Sequence, residues 1–182
     1  MPGEVSAFAV SAGNPVRSWW GMVRVAGLAE RLIASTDWSS LTEANGSAVS
    51  VGAALSELLK ASTPEAISAP YWKIENHAVA QGALFEVSEV CVSVLVAALA
   101  EERPRHVRIA ILELLFQVLS GSRAPKESVP IDIAERCRRA AREGLWGLVR
   151  EAVSGERNAA WDVLDLLGLQ DRLAPFRAKI DE

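Results

Sequence analysis

The stretch RPRHVRIAILELLFQVL, residues 103–119, limits what this chain can become more than any other. At 100° per residue, His106, Glu113 and Gln117 fall in one stripe about 40° wide, and nearly everything else is Ile, Leu, Val or Phe. A helix apolar almost all round must be covered on several sides. Residues 104–119 are therefore expected at the centre of a helical assembly, with Pro104 at a first-turn position that tolerates it. Arg108 falls inside the apolar arc, between Leu115 and Leu119. A guanidinium there needs a carboxylate partner, and the candidates are Glu86, Glu89 and Asp162.

The remaining periodicities extend this all-α reading. Residues 1–14 read as an irregular lead-in and 15–182 as a single α-helical domain. Trp19, Met22, Val23, Ala26, Ala29 and Ile33 recur at helical spacing and predict a helix over 18–34. Residues 35–47 form a loop, 48–61 a second helix and 62–70 a Pro-containing connection. Over 71–102 the polar residues change face, which predicts two helices with a break near 86–89. The alternative is a strand across 87–96, favoured by its β-branched residues but without a sheet to join. Residues 120–130 form a loop. One long helix is expected over 131–153, burying Ala134, Cys137, Ala141, Leu145, Leu148 and Ala152. Two more helices follow at 156–168 and 170–180, separated by Gly168.

Two similarities run inside the chain. WWGMVR at 19–24 is echoed by LWGLVR at 145–150, and VLVAALAEERPRHVRIAILELL at 94–115 by GLVREAVSGERNAAWDVLDLL at 147–167. Each of the longer segments reads as a helix, a charged turn and a second helix ending in Leu-acid-Leu-Leu. Three helix pairs would occupy roughly 18–61, 76–119 and 131–168. Helix pairs that cannot bury a face alone stack into a solenoid. The alternative is an irregular all-α bundle whose Leu/Ala-rich helices look alike by default.

The segment EERPRHVRIAILELLFQVL resembles the HEAT-repeat family through Pro104, Val107, Arg108, Ala110, Leu112 and Leu115. The match is weaker over 142–168 and poor before residue 75. The resemblance implies a short HEAT-like α-solenoid of about three helix pairs, stacked right-handedly, with Arg108 as a packing arginine. PYWKIENHAVAQG, 70–82, is also similar to segments of bacterial HEAT-like proteins, some small members of which serve as immunity partners of polymorphic toxins. HEAT-like DNA glycosylases have basic grooves, and the acidity of this chain argues against that class.

Net charge is −4, and residues 1–91 carry it, with five Lys/Arg against nine Asp/Glu. Such a surface repels phosphate backbones and attracts basic proteins. The two cysteines, Cys91 and Cys137, lie in apolar helical patterns and read as buried thiols. The longest apolar run, 90–100, is too short to span a bilayer. The N-terminal segment lacks the positive charge of a signal peptide, so a cytoplasmic protein is expected.

No catalytic signature stands out. His77 and His106 lack partners at metal-ligand spacing, and neither a phosphate-binding Gly-rich loop nor a Gly-x-Ser-x-Gly occurs. The pairs Glu86/Glu89, Glu101/Glu102 and Asp162/Asp165 read as solvated or ion-paired carboxylates, and Arg136, Arg138, Arg139 and Arg142 as a salt-bridged helix surface. What remains is the density of hydrogen-bonding and aromatic groups in 70–82. One reading makes Trp72 and Ile74 core residues that staple the next helix, with Glu75 and Asn76 as its caps. The other makes Tyr71 and Trp72 interface anchors.

The expected function is a non-enzymatic protein-binding module without cofactor, most concretely an immunity protein that neutralises a bacterial toxin by binding its basic domain. A scaffold for another complex and a nucleic-acid-binding repair protein are the alternatives. The candidate partner-binding residues are Tyr71, Trp72, Lys73, Glu75, His77, Gln81, Glu86, Glu89, Glu113 and Gln117. No membrane or nucleic-acid partner is expected, and pairing of two copies through an exposed solenoid end is left open.

Overall fold

In the computed structural model, which describes residues 27–178, nine α-helices supply nearly all the regular structure among those residues. The lead-in, WWGMVR and most of the helix expected over 18–34 lie outside the described residues. The remainder of that helix is α1 (Leu28–Ser35). The helices α2 (Val49–Lys60) and α5 (Arg105–Ser120) fall within a residue of their predicted spans.

The predicted pair over 71–102 exists, but its break lies at 79–85 rather than 86–89. It separates α3 (Ser68–Ala78) from α4 (Glu86–Leu99), with a two-residue strand β1 (Ala83–Leu84) between them. α3 starts early because Pro70 sits in its first turn, where an absent N–H forfeits no helical bond. It ends in a turn where Gln81 (φ 52°) and Gly82 (φ 79°) are left-handed. Ser88, part of the apparent change of polar face, is a buried cap. Its Oγ accepts from the Phe85 N–H at 2.8 Å and donates to the Ala78 carbonyl at 2.6 Å. The strand alternative over 87–96 does not occur: burial of Val87, Val92, Val94 and Leu95 outweighs valine's weak helix propensity. β1 pairs in parallel with β2 (Ser122–Arg123), inside the segment expected to be loop.

The single long helix expected over 131–153 is two, α6 (Ile133–Glu143) and α7 (Leu145–Ser154). They join at Gly144, where a Cβ would stand 2.9 Å from Val96 Cγ2. The apolar stripe continues through the break, with Cys137, Ala141, Leu145, Leu148 and Ala152 buried. α8 (Arg157–Leu166) and α9 (Gln170–Ala178) follow, with Gly168 in a left-handed turn between them.

α5 is covered by α3, α4, α6 and α8, as its apolar circumference demands, and α4 contacts α1, α2, α3, α5, α6 and α7. Consecutive helices pack as α2 on α3, α4 on α5 and α7 on α8. Cys91 and Cys137 are buried between them. Burial, and then the neighbouring Cys137, push the Cys91 thiol well above its ordinary range. Burial and then Glu89 push Cys137 up to about 12. Among the described residues no helix is long and apolar enough to cross a membrane.

Arg108 has a carboxylate partner, but none of the three expected. Its Nη1 meets Oε2 of Glu151 at 3.0 Å, and its Nη2 lies 3.9 Å from Glu156. Glu151 is 1% exposed. The expected partners are placed elsewhere. Glu86 binds Thr42, Glu89 pairs with Arg136 at 2.5 Å, and Asp162 faces outward from α8.

Candidate protein-binding groove

The polar stripe of α5 does not sit under another helix. Glu113 and Gln117, with Phe116 between them, open onto a groove of about 560 Å³. Its other walls are Tyr71 and Trp72 of α3 and Ala159 and Asp162 of α8, and Leu112 forms the buried floor. The pattern that places these residues is simple. α3 and α8 both pack on α5, so the adjacent Tyr71 and Trp72 from one side, and Ala159 and Asp162, one turn apart, from the other, converge beside its polar stripe.

Two large aromatics are left open to water, Trp72 at 56% and Phe116 at 40% exposure. Tyr71 meets Trp72 edge to face, with ring centroids 5.3 Å apart. Trp72 is therefore not a core residue, whereas Ile74 is fully buried. Glu75 and Asn76 are not caps either: both lie inside α3, and the Asn76 Nδ2 donates to the Trp72 carbonyl at 2.8 Å.

The electrostatics of the groove are one-signed. No basic side chain lines it, and Glu113 and Asp162 have no ion-pair or hydrogen-bond partner among the described residues. The phenol of Tyr71 is pushed above its ordinary value by burial first, then by the negative charges of Glu113 and Glu75.

The other expected partner-binding residues do not join the groove. His77 Nδ1 pairs with the buried Glu43 at 2.8 Å. Glu86 accepts from the backbone N–H of Thr42 at 3.1 Å and from its hydroxyl at 3.0 Å. Glu89 is taken by Arg136. His77, Glu86 and Glu89 are thus spent on contacts within the fold, with the buried Glu43, the partly buried Thr42 and the partly exposed Arg136. Lys73 lines a separate shallow depression with Glu57, and Gln81 occupies the turn after α3. Of the ten residues, Tyr71, Trp72, Glu113 and Gln117 share one site, with Glu75 adding charge. Leu112, Phe116, Ala159 and Asp162 line the groove without being among the ten. The repeated Leu-acid-Leu-Leu ending pointed to α5 and α8 as equivalents, but not to the face they share.

Two further clusters are structural. Arg103 Nη2 bridges Glu30 at 2.8 Å and Glu101 at 2.5 Å, while its Nη1 donates to the Leu59 carbonyl at 3.1 Å. His106 Nε2 lies 3.1 Å from the Ala61 carbonyl. In the arginine run of α6, Arg136 and Arg142 are paired, Arg142 with Glu135 at 2.8 Å. Among the described residues no group of three or more His, Cys, Asp or Glu is placed to hold a metal ion. Compared with protein-family models, with curated proteins and with solved structures, the chain matches none.

Proposed function

We propose that this chain is a non-catalytic protein-binding module, most concretely an immunity protein that neutralises a bacterial toxin by occupying its basic domain. The observation that carries the reading is the α3–α5–α8 groove, where exposed aromatics and unpaired carboxylates sit together on a rigid helical base. Aromatic anchors beside a polar rim are the usual make-up of an interface hot spot, and the negative field steers a basic partner inward. The same carboxylates oppose a nucleic-acid phosphate.

A HEAT-like stack is part of the proposal. Supporting it, the paired segments 94–115 and 147–167 bury matching residues: Leu95 and Leu148, Ile111 and Val163, Leu112 and Leu164, Leu115 and Leu167. α5 also lies beside α8, and α4 beside α7.

The test is capture with the purified chain as bait in its native cytosol, followed by expression of any captured protein alone and with the chain. A stoichiometric basic partner, toxic alone and harmless with the chain, supports immunity. Housekeeping proteins without toxicity point to a scaffold. Trp72→Ala is expected to reduce capture while the helical melt stays within about 0.5 kcal/mol, as for an exposed residue. A collapsed melt would mean that Trp72 is core.

A further inference from the structure

We propose that the α3–α5–α8 groove is a receptor for one arginine side chain of the partner protein. Its guanidinium would lie against the rings of Tyr71, Trp72 and Phe116 and donate to Glu113 and Asp162. This rests on the protein-binding reading and names the chemistry at its centre.

Four observations converge. The lining combines three aromatic rings, two carboxylates, one amide and an apolar floor, which matches both the flat face and the donor edge of a guanidinium. Glu113 and Asp162 are both exposed and have no internal ion-pair or hydrogen-bond partner among the described residues, so both are open to an incoming donor. Tyr71 is partly buried at the base of this otherwise open groove, and Glu113 and Glu75 act on its phenol as negative charges, so the field there favours a cation. Finally, α8 already carries the same arrangement internally. Arg177 lies 5.0 Å above the Trp161 ring and donates to Asp165 at 3.4 Å, one turn from Asp162.

The occupant is arginine rather than lysine because a planar guanidinium stacks and forks, whereas an ammonium is a compact, strongly hydrated point charge. A volume of about 560 Å³ holds the side chain with its methylene stem.

The test is a two-dimensional NMR titration of the full chain with the capped peptide acetyl-Gly-Arg-Gly-amide, against its lysine and citrulline counterparts and free arginine. Saturable shifts are expected at the Trp72 indole and the Gln117 amide. The lysine peptide should bind about threefold more weakly, and the uncharged citrulline peptide about tenfold or more. Glu113→Gln combined with Asp162→Asn should weaken the arginine peptide by about tenfold, with the circular-dichroism melt unchanged. Equal binding of the citrulline peptide, shifts outside the groove, or indifference to the double substitution overturns the assignment. Free arginine binding better than the peptide makes the groove an amino-acid site and also overturns it. The two readings fail separately. A toxin captured equally by the native chain and the double variant leaves immunity standing and removes the arginine receptor. Selective arginine binding without any toxin does the reverse.

Discussion

Two glycines three residues apart should respond oppositely to the same substitution. Gly144 joins α6 to α7 at φ −93° and ψ 15°, the negative-φ bridge geometry that non-glycine residues also take in type I turns. Torsional strain therefore does not decide the outcome. Space does: an added methyl would stand 2.9 Å and 3.1 Å from the two γ-carbons of Val96 and closer still to its Cβ, well inside carbon contact distance. Val96 is 6% exposed on a helix packed on nearly every side, so it has little room to yield. Overpacking of this kind costs about 1–3 kcal/mol. Replacing glycine gives back about 0.5–1 kcal/mol of chain entropy. Taking the middle of each range, Gly144→Ala should thus destabilise by about 1.25 kcal/mol, or roughly 3–5 °C in Tm for a chain of this size.

Gly147, within α7, is the control. A methyl there makes ordinary contact at 3.7 Å with Leu99 and the Ala100 backbone. Gly147→Ala should stabilise by about 0.5–1 kcal/mol. Urea melts followed by circular dichroism measure both, with an unchanged m-value as the check that only stability moved. A Gly144→Ala variant as stable as the native chain would refute the reasoning. It would mean that α6 and α7 merge into one helix and that Val96 gives way.

Other outcomes follow from the buried charges and the groove. Arg108→Met leaves the buried Glu151 with only Arg150 at 3.7 Å and the Glu156 backbone N–H at 3.4 Å; a loss of about 2–4 kcal/mol in urea melts is expected, largely recovered by adding Glu151→Leu. Tyr71 is the only tyrosine, so ultraviolet titration reports it alone; it should ionise above the ordinary phenol value of 10.0, and Glu113→Gln should bring the midpoint down. Glu156 is held below the ordinary carboxylate value of 4.5, chiefly by the hydrogen bond from Arg105. Glu30 is too: burial pushes it up, but the Arg103 hydrogen bond, a backbone hydrogen bond and the charges of Arg103 and Lys60 together push it further down. A lowered folded value means stability that is present above about pH 5 and lost as pH falls through the folded value. The urea midpoint should drop between about pH 6 and pH 3.5, and drop less in Glu156→Gln.

The sequence made the helices legible wherever periodicity and local breakers agree. The α2 and α5 spans needed nothing else. The failures share a physical origin, which is that a distant residue decides. The stripe Cys137–Ala141–Leu145–Leu148 runs smoothly through Gly144, and only the packing shows that Val96, 48 positions earlier, lies so close that no larger residue fits at the break. Arg108 advertised its need for a carboxylate but not which one, since the choice depends on how α7 lies beside α4 and α8 beside α5. His77, Glu86 and Glu89 looked available because nothing in their neighbourhood shows that Glu43, Thr42 and Arg136 will claim them. The groove was half visible for the same reason. Its α5 stripe and α3 aromatics are local patterns, whereas Asp162 joins them only through packing.

One end of the molecule has a consequence for the order of folding. There Lys126 Nζ donates to the carbonyls of Glu43 and Ala44, 83 and 82 residues away, and lies 5.1 Å from the centre of the Phe85 ring. Nearby, β1 meets β2, and Glu86 holds Thr42. Closing so long a loop is entropically costly, whereas α7 on α8 needs only neighbouring residues. The helix pairs should therefore assemble first and this clasp last. Interactions that form after the rate-limiting barrier govern how fast a protein comes apart rather than how fast it assembles. The clasp is then a latch on lifetime: Lys126→Met should hasten unfolding while leaving the refolding rate unchanged.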